Sequence, residues 1–132
     1  MKYSLQSILG VVGAYLGYFL GGFDGLLHAL VIFVSIDYIT GVMLAIVKKR
    51  LSSEVGAKGI FKKVMLFLLV GMGHMVDLHI IKEGSAIRTA VLFFYMSNEG
   101  LSILENVSLM GLPIPEKLKQ ILKKLRGADH GK

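Results

Sequence analysis

Four apolar stretches divide the chain, separated by polar or glycine-rich segments. The most continuous stretch, residues 25–47, carries Asp37 as its one charge and is followed by Lys48. An α-helix rises about 1.5 Å per residue, so about 20 apolar residues match a hydrocarbon core ~30 Å thick. We therefore predict a membrane-spanning helix here and three further spans. The four predicted spans cover residues 5–21, 25–47, 64–81 and 86–107.

The composition also indicates a membrane protein. Of the 132 residues, 54% are hydrophobic, whereas soluble domains have about 45–50% apolar residues. The predicted fold class is an all-α, polytopic membrane protein with four transmembrane helices and a C-terminal basic amphipathic helix at the interface. Three spans are the alternative, because glycines lower the hydrophobicity of the first stretch. The chain has no cysteine, which excludes disulfides and thiolate metal sites.

Small residues recur along one face of the first stretch. Gly13, Gly17 and Gly21 are four residues apart, so they fall within one arc of a helix. Faces of this kind allow close helix packing in lipid. The contact can lie within one chain or between two copies, and the pattern favours neither. Gly41 in the second span is assigned the same packing role.

Basic residues form two clusters that predict the orientation in the membrane. One cluster lies in residues 48–63, which we expect to form a loop, and the other follows residue 115. The positive-inside rule places both clusters, and with four spans both termini, on the cytoplasmic side. The predicted domains are a transmembrane part, residues 1–111, and a cytoplasmic tail, residues 112–132.

The tail is predicted to contain an amphipathic helix at residues 116–126, after two prolines that end the preceding helix. Its lysines favour contact with an anionic membrane surface. A solvated tail, or docking onto the cytoplasmic loop, is the alternative. The predicted membrane-surface residues are Lys117, Lys119, Lys123, Lys124 and Arg126.

Polar side chains inside the predicted spans are the candidate functional residues, because such groups cannot face lipid. We expect Asp37 to pair with another helix or to face water. His74 and Asp77 can pair within the third span, whereas a metal site with His79 is disfavoured because His79 points away from Asp77. Arg88 is expected to snorkel to the outer interface. The fourth span carries a polar stripe that we expect to face other helices or a lumen: Asn98, Glu99, Ser102 and Glu105.

Four motifs, taken in order, resemble the toxin-secretion/phage-lysis holins. They are residues 37–41 (DYITG), 58–63 (KGIFKK), 98–106 (NEGLSILEN) and 111–118 (GLPIPEKL). The resemblance implies a phage or prophage protein of the bacterial cytoplasmic membrane that forms homo-oligomers and opens lesions. The lesions release an endolysin or a toxin, and the endolysin does not have to contact the holin directly. The resemblance implies no catalysis and no cofactor. The placement of the basic residues in two clusters indicates the topology rather than a nucleic-acid partner.

Other functions compete with this interpretation. A small proton-coupled transporter would use Asp37 or Glu99 as its central carboxylate, although the strong charge bias between loops is atypical of small dual-orientation exporters. A structural adaptor would use the basic tail to recruit a soluble partner. An enzyme is not expected, because the sequence offers no nucleophile, metal set or phosphate-binding loop.

Overall fold

The computed structural model describes residues 2–125, and within these residues the fold is entirely helical. Lys82 to Ser85 connect the third and fourth helices, and Arg126 lies outside the described part. The helices are α1 (Lys2–Leu20), α2 (Gly25–Val47), α3 (Ser53–Met75, continued by a π-helical segment Val76–Ile81), α4 (Ala86–Leu109) and α5 (Glu116–Leu125).

Two helical stretches have the length and apolar composition of a membrane span. They are Gly25–Val47, which coincides with the most continuous apolar stretch of the sequence, and Ser53–Ile81. The apolar part of α1, Ser4–Leu20, is shorter, and α4 carries three charged residues, Arg88, Glu99 and Glu105. The structure therefore supports a helical membrane protein with two candidate spans.

Helix α3 begins at Ser53, eleven residues before the predicted third span, so the expected loop over residues 48–63 is wrong for most of its length. The Ser52 hydroxyl accepts a hydrogen bond from the Val55 amide at 3.1 Å and caps the helix. Two glycines of the first turns then allow α3 to approach Tyr38 of α2. A Cβ at Gly59 would lie 3.1 Å from the Tyr38 ring. The loop shrinks to residues 48–52 because this capped, glycine-faced segment packs against α2.

The interior of the bundle is small and is formed by three helices. Leucine and valine side chains of α2, α3 and α4 make one buried cluster, whose members are Leu27, Leu30, Val34, Leu66, Val70 and Leu92. Many other large apolar side chains of α1, α2 and α3 are exposed on the outside of this single chain. Such a surface is stable in a lipid environment or against other proteins.

Helix α1 packs on α3 through a glycine that the sequence reasoning missed. A Cβ at Gly71 would lie only 1.9 Å from the Phe19 ring, so the ring occupies the place of a side chain. Around Gly13, by contrast, a Cβ would meet nothing within 4 Å, and at Gly17 it would meet Phe23 at 3.2 Å. The predicted small-residue face of α1 is therefore not a helix–helix contact at Gly13 within this chain. Gly21 instead ends α1 with a φ of +89°.

Helix α5 folds back along α4. After the Pro113–Pro115 connection, Leu122 approaches the α4 backbone so closely that a Cβ at Gly100 would lie 3.2 Å from it. Leu118 and Ile121, also on the predicted apolar face, are exposed. The apolar side of the tail helix thus contacts α4, a partner that the sequence did not suggest. Contact of its lysines with a membrane surface stays a prediction. Lys117, Lys123 and Lys124 are exposed, and Lys119 is half-buried.

Candidate functional site: a buried charge network

A lysine joins two carboxyl groups in the middle of the bundle. The Lys63 ammonium of α3 lies 2.5 Å from Asp37 Oδ2 on α2 and 2.6 Å from Glu99 Oε1 on α4. Asp37 is 6% exposed and Glu99 8% exposed. One cation therefore holds together three helices through charge-assisted hydrogen bonds, which are stronger than neutral ones.

An amide completes the network on the other side of Asp37. Asn106 Nδ2 donates to Asp37 Oδ1 at 3.1 Å and to Thr40 Oγ1 at 2.9 Å. The Thr40 hydroxyl in turn donates to the Ile36 carbonyl at 2.8 Å. We call Asp37, Lys63, Glu99, Asn106 and Thr40 the charge network. Both carboxylate oxygens of Asp37 accept hydrogen bonds, so its burial is compensated.

The sequence interpretation placed Lys63 in the basic cytoplasmic loop, and the structure corrects this. Lys63 precedes the buried Leu66 by three residues and Val70 by seven, so all three lie on one face of α3. Its neighbour Lys62 is exposed. In the sequence, the spacing of three and seven residues from Lys63 to Leu66 and Val70 already indicates that Lys63 lies on the buried face of a helix. This signal was obscured because consecutive basic residues were treated as one solvated run.

An open cavity of about 230 Å³ lies beside the charge network, between α2, α4 and the first turns of α3. Its polar wall contains Asp37, Lys63, Ser102 and Asn106, and its rim includes Leu51 and Val55, which are exposed. The Tyr38 hydroxyl, donating to the Gly56 carbonyl at 3.1 Å, forms another part of the wall. The network is thus reachable from the end of the bundle where α2 ends and α3 begins.

Only some residues of the predicted polar stripe of α4 lie at the charge network. Glu99 belongs to the charge network and Ser102 lines the cavity. Asn98 is half-buried, whereas Glu105 is exposed on the surface of the single chain. Asn106 lies on the same face of α4 by helical periodicity, and it is this residue that binds Asp37. Glu105 therefore does not share the surroundings of Glu99.

A second polar cluster lies at the opposite end of the bundle, around Arg88. The Arg88 side chain is buried, with 4% of the residue exposed. It donates to the Leu20 carbonyl at 2.6 Å, to the Gly22 carbonyl at 3.0 Å and to both oxygens of Asp24. The expectation that Arg88 snorkels to the interface is therefore wrong. Backbone carbonyls at the end of α1, which have no partner within the helix, and the Asp24 carboxylate accept the hydrogen bonds of the guanidinium. Arg88 therefore has no need to reach the lipid headgroups.

Asp24 has a double role in this cluster. Its side chain accepts a hydrogen bond from the Leu27 amide at 3.0 Å and caps α2. The hydrogen bonds from Arg88 hold the pKa of the Asp24 carboxyl below its ordinary value, against the opposing effect of partial burial. Asp24 is therefore a fixed negative charge in the turn between α1 and α2.

Asp77 caps α4 rather than pairing with His74. Its two oxygens accept hydrogen bonds from the Ile87 and Arg88 amides at 3.0 and 2.9 Å. The π-helical segment carries Asp77 in its first turn and is followed by Lys82, whose φ is +69°. His79 Nε2 lies 3.2 Å from the Tyr18 hydroxyl of α1, and His74 is half-buried. The third-span residues thus hold α4 and α1 in place.

The chemistry available to these two clusters is electrostatic. Buried carboxylates, an ammonium and a guanidinium can hold helices together, bind protons or open to water. Within residues 2–125 no group of three metal-ligating side chains is positioned to hold an ion.

Comparison with known proteins gives a consistent result. A family model described as "Bacteriophage holin family" matches residues 14–127. An uncharacterized protein of Listeria monocytogenes is 44% identical over 115 residues, which cover 87% of this chain and 81% of the relative. A probable holin of Bacillus phage phi105 is 39% identical over 80 residues, 61% of this chain and 58% of the relative. No solved structure matches.

Proposed function

The chain belongs to the bacteriophage holin family, and on that premise we propose that it oligomerises in the bacterial cytoplasmic membrane and opens lesions. These lesions release an endolysin, or a toxin, and lead to host cell lysis. The protein acts on the bilayer and on copies of itself, so the hydrolase needs no direct contact with it. Both termini are proposed to be cytoplasmic, in a multi-pass arrangement.

The observation that carries the proposal is the charge network buried between α2, α3 and α4, in the middle of a bundle whose outer surface is largely apolar. Lys63 contacts Asp37 and Glu99, which belong to two other helices. Polar groups within a membrane must be satisfied by protein or by water. In the closed chain they satisfy one another. If α2, α3 and α4 separate, the same groups need water, so we propose that they line the lesion once several copies have assembled.

The basic tail fits the same mechanism as a membrane-surface element. Lys117, Lys123 and Lys124 are exposed, and each basic residue near an anionic leaflet contributes about 1 kcal/mol. We propose that anionic lipid is the partner of these lysines. The apolar side of α5 contacts α4 at the same time through Leu122.

The decisive experiment is induced expression in a bacterium with and without a co-expressed cytoplasmic endolysin. We expect a delay of normal growth, then abrupt lysis and endolysin release that require both proteins. Continued growth with the protein present in the membrane would contradict the proposal and would favour the transporter, in which Asp37 or Glu99 binds the coupling proton.

A matched pair of variants tests the charge network within this assay. Lys63→Met leaves two buried carboxyl groups without their cation, so we expect the onset of lysis to shift strongly or lysis to be lost. Lys62→Met removes the same charge from the neighbouring exposed position and should leave the onset close to that of the natural protein. Equal effects of both variants would exclude a specific role of the network.

A further inference from the structure

The charge network is unbalanced as an ion cluster. It contains two carboxyl groups and one ammonium group, all in mutual contact through Lys63. With both acids ionised, one negative charge would stay uncompensated among apolar helices, which is strongly unfavourable. Two acids that share a site with a single cation therefore favour one bound proton.

The hydrogen bonds indicate which acid carries that proton. Asp37 accepts from Lys63 on one oxygen and from the Asn106 amide on the other. Two donors aimed at one carboxyl group stabilise its ionised form. Glu99 is the other acid of the network, and its contact with Lys63 is made by Oε1. The proton therefore belongs on Glu99.

Access to this site from the two ends of the bundle is one-sided. A second cavity of about 330 Å³ also reaches Lys63, but it opens on the side of the α2–α3 pair among apolar residues such as Ile39, Ile60 and Val64. The cavity beside the charge network reaches from the exposed Leu51 and Val55 to Lys63 and Asn106. Beyond the network, toward the Arg88 end, the bundle is filled by the buried leucines and valines of the core. Water can thus approach the network from the α2–α3 connection, while the core separates it from the opposite end.

The helices packed against α4 place polar and charged side chains around Glu99. Helix α2 contributes Asp37 and α3 contributes Lys63, while Tyr38 of α2 lines the same cavity as Lys63. On the side of α5, Leu122 packs against Gly100, the neighbour of Glu99. The half-buried Lys119 precedes Leu122 by three residues and shares its face. On α4 itself, Ser102 and Asn106 line the cavity.

We propose that Glu99 is a proton-binding site that exchanges its proton through the cavity beside the charge network, by way of Lys63 and Asp37 in the cavity wall, and only from that side of the membrane. The inference deepens the proposed function and rests on it for the membrane setting. The bound proton keeps the network neutral and the three helices together. Its loss leaves a buried negative charge that favours separation of the helices.

The test is infrared spectroscopy of the full chain in lipid vesicles near neutral pH. The natural protein should show the C=O stretching band of a protonated carboxyl group in a dry environment. Glu99→Gln should abolish it. Asp37→Asn should abolish it too, because the single remaining acid is then balanced by Lys63 and ionises.

Glu105→Gln is the matched control, since Glu105 lies on the same helix but is exposed. It should leave the band unchanged. A natural protein without the band, or a band that survives in Glu99→Gln, would overturn the proposal. Either result would be independent of lysis, so it would leave the proposed function to its own experiment.

One-sided access is tested by thiol labelling, for which the cysteine-free chain is a clean background. Ser102→Cys lines the cavity, whereas Ser97→Cys lies on the same helix but is only 2% exposed. We expect a small impermeant reagent to modify Ser102→Cys from the side that modifies Val55→Cys, and not from the side that modifies Glu83→Cys. Ser97→Cys should stay unmodified. Labelling of Ser102→Cys from the Glu83→Cys side would overturn the one-sided route.

Discussion

Lys62 and Lys63 are adjacent in the sequence and have different physical roles. Successive helical residues are turned by about 100°, so one ammonium lies outside the bundle while the other lies between two buried carboxyl groups. A buried ion pair is a demanding arrangement, because removal of one partner leaves an uncompensated charge and costs about 3–5 kcal/mol. The identity of a residue therefore says less than the face on which it lies.

Alanine substitutions at two glycines test whether α1 packs on α3 within one chain. In Gly71→Ala, the new Cβ would overlap the Phe19 ring, at a distance of 1.9 Å before relaxation. We expect α1 to shift and the free energy of unfolding in detergent to fall by about 1–3 kcal/mol. Gly13→Ala, where nothing lies within 4 Å, should leave it unchanged or slightly raised. A Gly71→Ala variant as stable as Gly13→Ala would mean that α1 is not packed on α3.

The Arg88 cluster predicts a specific dependence of stability on pH. Because Arg88 lowers the pKa of Asp24 in the folded chain, the pairing stabilises the fold fully above the ordinary pKa of 3.8. The stabilisation is lost as the pH falls through the lower, folded-state value. The contribution of Asp24 to the unfolding midpoint should therefore be full and independent of pH near neutral pH, and should decline on acidification below about pH 4.

Asp24→Asn is the control for this pH dependence. Asparagine also caps helices, so the variant keeps the α2 cap and loses the charge. We expect a flatter acid limb of the unfolding curve, compared with that of the natural chain. An identical acid limb in both proteins would exclude the Asp24–Arg88 pair as its source.

At the level of elements, α2 and α3 show what hydrophobic patterning predicts and what it misses. The apolar run at 25–47 coincides with helix α2, since nothing within it competes with a helix. The first three turns of α3 were missed because their lysines suggested a solvated loop. Their helical state depends on the Ser52 cap and on the Tyr38 contact with Gly59. The Ser52 cap is a local signal that is present in the sequence. The contact between Tyr38 and Gly59 is tertiary, so the sequence pattern does not show it.

Of the candidate site, the two carboxylates could be predicted from the sequence more readily than their partners. Asp37 and Glu99 stand out because carboxylates are rare in apolar helices. Their partner Lys63 looks like any other residue of a basic run until its distance to Leu66 and Val70 is considered. The role of Arg88 could not be predicted, because its acceptors Leu20 and Gly22 are backbone carbonyls 68 and 66 residues away. Sequence patterns do not report such distant backbone contacts.

The docking of α5 can be tested by two neighbouring residues. Leu122 contacts the α4 surface at Gly100, whereas Ile121 is 49% exposed. Leu122→Ala should release α5 and make its amides exchange with solvent at least tenfold faster in hydrogen-exchange measurements. Ile121→Ala should leave the exchange close to that of the natural chain. Equal exchange in both variants would show that Leu122 does not hold the helix.

At the scale of the whole molecule, the distribution of apolar surface is inverted relative to that of a water-soluble bundle. The large exposed side chains include Ile32, Ile39 and Ile46 on α2, while Asp37 and Glu99 are buried. A soluble protein would place these groups the other way round. The inversion agrees with membership of a membrane protein family and with the two candidate spans.

The orientation of the chain is a further prediction at this scale. A C-terminal fusion to green fluorescent protein should fluoresce, and the same fusion to alkaline phosphatase should be inactive, because both basic clusters favour the cytoplasm. A phosphatase inserted after Glu83, between the third and fourth helices, should be active. An active phosphatase at the C-terminus would reverse the predicted topology.

The contacts of Arg88 also imply an order of events during biosynthesis. The acceptors at Leu20, Gly22 and Asp24 leave the ribosome 64 to 68 residues before the guanidinium that binds them. Until α4 arrives, the turn after α1 lacks the donor that fixes it. Helix α1 can pack on α3 through Gly71 before that point, but the turn between α1 and α2 takes its final form only when the fourth helix is synthesised.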